Sequence, residues 1–448
     1  MFKKILIANR GEIALRIQRA CRELDIRTVA IHSEVDSDAM HVKLADESVC
    51  IGPAPALKSY LDIPSIITAA TITNVDAIHP GYGFLSENSK FVSIVKEHGY
   101  KFIGPQAKHI ELMGNKIKAK ETMSKFNVPT IPGMKEITNI SQVESFADEF
   151  GYPVIIKAAS GGGGKGMKII YNKSEIEESI LSAKKEALNF FSDDTIYLEK
   201  YLLNPKHIEI QILADQHGNV VHLGERDCSI QRNHQKLLEE SPCLLLNNNQ
   251  RSEIGTISAN AVKSINYEGV GTLEFLFEKN KFYFMEMNTR LQVEHPVTEM
   301  VTGIDLVKEQ IMIAAGEKIE FKQNDIKISG HAIECRINAE NPNNFLPSPG
   351  KIEKYHPPGG LGVRLESALY QGYVVPSNYD SMIAKLICYG KNRNESISIM
   401  KRALEEYIII GIENSIQLHQ DILKDNNFVS GNYNINYINN NKLNHFLN

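Results

Sequence analysis

Between residues 161 and 166, five of six positions are glycine, and strand-like sequence flanks the run on both sides. Val154, Ile155 and Ile156, opened by Pro153, read as one buried strand, and Met167–Tyr171 reads as a second. Neither a stable helix nor a packed core runs through consecutive glycines, so the segment is expected to fold back as a hairpin loop. Such a loop turns backbone N–H groups toward an anion with no Cβ in the way, and Lys157 and Lys165 bracket it with positive charge. It reads as a phosphate-covering flap; an ordinary surface hairpin has the same composition. Gly161, Gly163 and Gly166 formally match G-x-G-x-x-G, but that dinucleotide motif needs a helix directly after the loop, and MKIIY is strand-like. The P-loop pattern fails because Met167 follows Gly166 where Lys-Ser/Thr is required.

The 448 residues are too many for one core and suggest roughly two to four domains. A hydrophobic fraction of 42%, a charged fraction of 23% and a net charge of −5 describe an ordinary globular protein with no bias toward nucleic acid or membrane surfaces. No apolar run has the length of a bilayer span. The N-terminus, MFKKILIANRGE, opens on a strand pattern with no targeting segment, so a cytoplasmic location is expected. Six scattered cysteines without C-x-x-C spacing argue for a reducing compartment and against disulfides or zinc. The Asn-rich tail from Asn426 reads as compositional drift.

Up to about Gly104, short apolar runs alternate with helical patterns. Lys4–Ala8, Arg27–His32, Asp76–His79 and Lys101–Gly104 read as strands, and Glu12–Leu24 as an amphipathic helix. This alternation implies a parallel sheet with helices on its faces, with Asn9-Arg10-Gly11 at a strand's C-terminal end, where such sheets bind ligands. Lys116 to about Phe126 reads as a helix, followed by a small α/β unit carrying the flap. From Tyr197 strands dominate: Ile208–Leu213, Val220–Leu223, Gly271–Phe277 and Lys281–Met287. A helix is expected at Ile304–Ala315, and a loop-rich region with five prolines (Pro342, Pro347, Pro349, Pro357, Pro358) follows Gly330–Asn338. Glu395–Tyr407 is expected to be a helix capped by Asn394.

Three constellations carry chemistry. Glu274 lies mid-strand among Leu273, Phe275, Leu276 and Phe277, while Glu286 and Asn288 share a face of the next strand. A turn near Asn280 sets Glu274 about opposite Glu286. Two carboxylates and an amide oxygen form a hard ligand set suited to Mg2+ or Mn2+ carrying phosphates; a solvated hairpin face is the plainer alternative. Next, Arg290 in Thr289–Pro296 can hold an oxyanion bidentately, and Glu294 is a candidate general base, although a surface Arg–Glu pair reads the same way. Finally, Glu225–Lys236 is so dense in charged and amide groups that it is expected outside the core, with Lys236 a point charge for a small anion. Glu199-Lys200-Tyr201-Leu202 is a possible adenine edge reader or simply a strand end.

Taken together, KILIANRGEIALRI, HPGYGFLSEN, KAASGGGGKGM, ERDCSIQRNHQK, EFLFE, FMEMNTRLQVEHPVTE, GHAIECRINAE and YDSMIAKLI resemble the biotin carboxylases of the ATP-grasp superfamily nearly end to end, in particular the free-standing subunits of the acetyl-CoA carboxylase type. The chain lacks a biotin-attachment Met-Lys-Met motif and a carboxyltransferase region. The resemblance implies an α/β and α+β multidomain fold. A Rossmann-like N-terminal domain covers 1–113, an ATP-grasp domain 114–328 with a mobile lid at about 131–201, and a mixed α/β C-terminal domain 329–448. It implies ATP- and bicarbonate-dependent carboxylation of biotin through carboxyphosphate. Two divalent ions, Mg2+ or Mn2+, are implied, with biotin carried by a biotin carboxyl carrier protein. A homodimer working with carboxyltransferase subunits is implied as well, with no nucleic-acid or membrane partner.

By the same resemblance, Lys116, Lys157, Gly163 and Gly164 meet the ATP phosphates. Glu199, Lys200 and Leu202 hold adenine, with His207, Gln231 and His234 along the nucleotide. Glu274 and Glu286 bind the nucleotide's metals with Asn288. Lys236, Arg290, Gln292, Val293 and Glu294 hold bicarbonate, and Tyr82, Gly83, Arg290 and Arg336 face biotin. Glu294, Arg290, Arg336 and Lys236 are the implied catalytic group, and Arg19, Glu23 and Arg364 match dimer contacts. Two rivals remain from the residues alone: another ATP-grasp ligase acting on an amine or carboxylate, and a catalytically silent nucleotide-binding subunit.

Overall fold

The computed structural model describes residues 1–134, 137, 139–159 and 166–440. Strands β1 (Lys4–Ile7), β2 (Arg27–His32), β3 (Glu47–Cys50), β4 (Ala77–His79) and β5 (Lys101–Phe102) form the expected parallel sheet in the order β3-β2-β1-β4-β5. Helices Gly11–Glu23, Ile63–Thr73 and Ser89–Glu97 supply crossovers and cover both faces, which is why Ile5, Leu6 and Ile7 are all fully buried. Asp62 starts the second helix by accepting from the Ser65 N–H at 3.1 Å, and Asn88 starts the third by accepting from the Phe91 N–H at 2.9 Å.

A small antiparallel sheet follows, made of β6 (Gly133–Met134), β7 (Val154–Ala158), β8 (Met167–Ile170) and β9 (Ile196–Lys200), in the order β6-β9-β7-β8. Helices Ile140–Phe150 and Ile176–Phe191 pack on it through Val143, Phe146, Ala183 and Ala187. β7 and β8 pair from Val154–Ile170 to Lys157–Met167, so the two runs beside the glycines do form a hairpin. Gly163 and Gly164 lie outside the described residues.

The remaining strands are β10 (Lys206–Ala214), β11 (Val220–Arg232), β12 (Gln235–Ser241), β13 (Gly269–Glu278), β14 (Lys281–Asn288), β15 (His331–Asn338), β16 (Gly350–Lys351), β17 (Lys354–His356), β18 (Val363–Ser367), β19 (Val374–Val375), β20 (Met382–Gly390) and β21 (Ile408–Ile410). Eight of them make one antiparallel sheet, β14-β13-β10-β11-β12-β15-β20-β18, and β16-β19 and β17-β21 form two small pairs. Lys279 and Asn280 both have positive φ, 51° and 60°, as a two-residue turn matched to strand twist requires. That turn sets Glu274 opposite Glu286.

Two expectations need correction. Glu225–Gln231 is not an exposed charged segment but the buried interior of β11, with Arg226 wholly inaccessible. The charges are tolerated because they are paired: Arg226 bonds Glu209 and donates to Gln211 Oε1 (2.6 Å) and Thr298 Oγ1 (3.0 Å). The helix expected from Glu395 runs from Arg393 to Glu406, and its cap is Asn392 rather than Asn394, because Asn392 Oδ1 accepts from the Glu395 N–H at 3.0 Å. The tail up to Asn440 is also structured: Tyr433 is buried and its hydroxyl lies 3.1 Å from Asp227 Oδ2 and bonds Glu240. Among the described residues, no helix is long and apolar enough to cross a membrane.

Candidate active site

Strand register assembles the site. Glu286, Glu274, Glu209 and Arg226 are successive cross-strand partners on β14, β13, β10 and β11, so they form one transverse row of the large sheet. Farther along, Arg336 on β15 is opposite Lys385 on β20. The segment Thr289–Glu294, leaving the end of β14, lies over this surface.

Lys236 is the hub. Its Nζ donates to Glu209 Oε2 (2.6 Å), Glu274 Oε1 (2.9 Å) and Glu294 Oε1 (2.6 Å). Arg336 closes the other side of Glu294 through Nη2 to Oε2 at 2.9 Å, while its Nε donates to Glu239 Oε1 at 2.6 Å. Burial pushes the Glu294 carboxyl up, but Lys236, Arg336 and Arg226 outweigh it and hold the group well below the usual range. Glu274 behaves the same way: burial opposes ionisation, and Lys236 and His207 overcome it. Glu239 has less cationic cover, so burial raises it to about 7 despite Arg336.

Arg290 is anchored rather than free. Its Nε donates to Glu87 Oε2 (2.8 Å), and its two terminal nitrogens donate to Gln292 Oε1 (2.9 Å) and Asn288 Oδ1 (3.1 Å). Gln292 Nε2 and Asn288 Nδ2 in turn donate to Glu274 Oε1 at 2.9 and 2.8 Å. Val293 offers its carbonyl to Lys385 Nζ at 2.9 Å. The expected bicarbonate group of Lys236, Arg290, Gln292, Val293 and Glu294 is therefore one bonded cluster.

The residues expected along the nucleotide border it. Lys116 Nζ lies 3.4 Å from Glu286 Oε2, and His207 Nε2 lies 3.0 Å from Glu274 Oε2. Lys157 pairs with buried Glu199 at 2.7 Å, and Lys120 contacts the same carboxylate. Burial, reinforced by Lys116, lowers Lys157 to about 8. Lys200 sends its Nζ to Gly151 O (2.8 Å), and Leu202 is buried just beyond β9. Gln231 is buried opposite Lys236, whereas His234 is exposed on the β11–β12 turn. Tyr82 and Gly83 sit on the loop after β4, which Asn9 Nδ2 holds by donating to Pro80 O and Tyr82 O, both at 2.7 Å. Arg19, Glu23 and Arg364 lie together on a separate rim with Glu299 and Glu366.

The donor set suits divalent ions: Glu274 Oε2 and the partly exposed Glu286 carboxylate face each other across a hairpin, with Asn288 beside them. A second acid cluster, Glu209, Cys228 and Glu294, has the spacing of a metal site. There the Lys236 ammonium already bonds both carboxylates, so no cation is needed.

Several contributors are absent from the sequence reading. Glu209 supports Lys236, Glu239 supports Arg336, and Glu87 supports both Arg290 and the Thr289 N–H (3.0 Å). Glu209 had a signal, since it alternates with Gln211 inside the apolar run IEIQIL of β10. Glu87 lay inside the motif HPGYGFLSEN without an assigned role, and Glu239 had no signal; only strand register brings it in.

Three family models match in order: the biotin carboxylase N-terminal domain over residues 1–110, the ATP-binding domain of the carbamoyl-phosphate synthase L chain over 115–322, and the biotin carboxylase C-terminal domain over 334–440. The biotin carboxylase of Haemophilus influenzae is 58% identical over 98% of both chains. Two solved structures are similar throughout. The biotin carboxylase–beta-gamma-ATP complex from Campylobacter jejuni has a TM-score of 0.95 and 51% identity, covering 98% of this chain and 99% of that one. The biotin carboxylase domain dimer of the Hydrogenobacter thermophilus 2-oxoglutarate carboxylase, solved with MgADP, ADP and bicarbonate, has a TM-score of 0.94 and 49% identity, covering 100% of this chain and 99% of that one. Sequence, domain order and fold agree over essentially the full length, and the chain belongs to the biotin carboxylase family of ATP-grasp ligases.

Proposed function

We propose that the chain carboxylates biotin on a biotin carboxyl carrier protein, using ATP and bicarbonate through carboxyphosphate, as the first half-reaction of an acetyl-CoA carboxylase that supplies malonyl-CoA for fatty acid synthesis. The observation that carries the reading is the buried Glu294 carboxylate gripped between Lys236 and Arg336 beside the Glu274–Glu286 row. ATP makes bicarbonate electrophilic, and Glu294 is the base that takes its proton. With both cations on it, Glu294 has little proton affinity. As Lys236 turns to the incoming anion's oxygens, that affinity rises when the base is needed. Lys116 and Lys157 face the phosphates, and Glu199, Lys200 and Leu202 form the adenine end. Glu274, Glu286 and Asn288 hold Mg2+ or Mn2+, which supplies charge neutralisation on the phosphoryl oxygens when bound. Closure of the glycine hairpin excludes water. Carboxyphosphate then releases carbon dioxide and phosphate; the phosphate takes the biotin N–H proton, and Arg336 stabilises the resulting oxyanion. Arg290, Tyr82 and Gly83 complete the biotin face.

The working form is a homodimer through the Arg19, Glu23 and Arg364 rim, acting in the cytoplasm with carboxyltransferase subunits. Six unpaired cysteines, five of them buried, fit a reducing compartment. A 2-oxoglutarate carboxylase domain of comparable similarity makes a second reading specific: the same half-reaction serving a 2-oxo acid as the final carboxyl acceptor. Identifying the biotinylated protein that co-purifies with the chain, and the acid its partner carboxylates, separates the two. The core reading is tested by ADP release measured with and without bicarbonate and free biotin. Dependence on both supports it, and ADP release indifferent to bicarbonate overturns it. Arg336→Ala is expected to retain more bicarbonate-dependent ATP hydrolysis than biotin carboxylation, and equal loss of both contradicts the oxyanion role.

A further inference from the structure

Lys385 is a fully buried cation that the mechanism above does not use. It lies directly across from Arg336, on the same face of the sheet, because residues opposite each other in neighbouring strands project to one side. The two cations grip consecutive residues: Arg336 holds the Glu294 side chain, and Lys385 Nζ donates to the Val293 carbonyl at 2.9 Å. The preceding carbonyl, of Gln292, lies 2.8 Å from His295 Nδ1. Residues 292–294 are thus pinned at three successive points.

The ammonium needs counter-charge in this dry setting: buried Glu366 is the cross-strand partner of Lys385 on β18, and Glu12 makes the ion pair with it. Glu12 sits on the first helix of the N-terminal domain, is 5% exposed, and has Lys385 Nζ at 3.3 Å from Oε2. Neither Glu12 oxygen accepts a hydrogen bond from another described residue. One lysine of the C-terminal domain therefore joins an acid of the N-terminal domain to the backbone of the bicarbonate segment. The Tyr82 ring lies 5.5 Å from the same nitrogen, on the loop expected to face biotin. A buried carboxylate is costly to keep unless its cationic neighbours are fixed; Lys385 makes the close contact with Glu12 and Arg16 acts on it from farther away, so Glu12 and Lys385 hold each other in place.

We propose that Lys385, with Glu12 as its counter-charge, is a positioning residue that fixes the Val293 peptide and thereby the presentation of the Glu294 carboxylate to bicarbonate. The inference rests on the function proposed above. It is tested with the full-length chain and the variants Lys385→Met, Lys385→Gln and Glu12→Gln, measuring ADP release while bicarbonate and ATP are varied separately. Lys385→Met removes a charge-assisted bond, so kcat/KM for bicarbonate falls roughly 10- to 100-fold while KM for ATP stays within roughly twofold. Lys385→Gln keeps an N–H donor and regains part of the loss. Glu12→Gln shifts bicarbonate kinetics in the same direction by less. Native bicarbonate kinetics in folded Lys385→Met, or parallel decline for both substrates, overturns the positioning role. If Lys385→Met does not fold, Lys385→Gln decides by the same split. If the native chain shows no bicarbonate-dependent ADP release, the proposed function itself fails and the positioning role falls with it.

Discussion

Replacing Lys236 by Met strips the shared cation from three buried carboxylates. Each of its bonds, at 2.6, 2.9 and 2.6 Å, joins an ammonium to a carboxylate. Bonds of this kind contribute about 1.5–3 kcal/mol apiece, yet adding three overstates the loss. Arg226 still holds Glu209, Arg336 still holds Glu294, and His207 remains 3.0 Å from Glu274, so no acid is left without a partner. Removing one partner of a buried ion pair costs about 3–5 kcal/mol, and the retained partners set the lower end, about 3 kcal/mol. At roughly 1–2 °C per kcal/mol for a unit of this size, the thermal midpoint drops about 3–6 °C. Bicarbonate-dependent ADP release falls at least roughly 100-fold, because the base and the anion lose their common cation. Calorimetry of the ligand-free protein and a coupled ADP assay read the two effects. Lys236→Arg restores the charge with a wider head, so it recovers most of the stability and little of the rate. A Met variant melting within about 1 °C of native would show that the three contacts do not hold the site together.

Two further outcomes follow from the electrostatics. Lys157 loses its proton near pH 8, and a phosphate favours the charged lysine, so nucleotide affinity should weaken as pH rises through about 8; a pH-independent affinity between about 7 and 9 contradicts its phosphate role. Glu240 is buried, and His331 and Arg393 overcome that burial to hold its carboxyl far below the usual range. Its folded value is depressed, so its contribution is present above the unfolded value of about 4.3 and is lost as pH falls through the folded one. Arg393→Met relaxes the depression. The stability gap to native, read from urea midpoints, is therefore full and flat above about pH 4.3 and narrows only below it; a gap that widens on acidification refutes the assignment.

What the sequence disclosed, and what it hid, follows from the range of the interactions. The parallel sheet was legible because Ile5–Ile7 and Val29–Ile31 are continuous apolar runs separated by a helix-period segment. The Glu274–Glu286 alignment was legible because a two-residue turn fixes register locally. Asn392 was within reach as well, since it stands three residues before Glu395, the spacing a capping box uses. The burial of Glu225–Gln231 was not. A local reading takes charge density as exposure, whereas the partners of Arg226 come from residues 209, 211 and 298, on other elements. Glu12 and Lys385 were hidden for the same reason, lying more than three hundred positions apart.

The pairing of β12 with β15, along Leu238–Cys335 to Ser241–Ala332, has a mechanical meaning. It fuses the strands bearing Glu274 and Lys236 to those bearing Arg336 and Lys385 into a single plate with no joint. The spacing between acid and arginine is therefore set by a continuous ladder of paired strands. The small four-stranded unit is a separate sheet, and its return to the plate is the short stretch between Lys200 and Lys206. The geometry around Glu274, Lys236, Arg336 and Lys385 is thus set by the register of one sheet, apart from the separate core of the smaller unit.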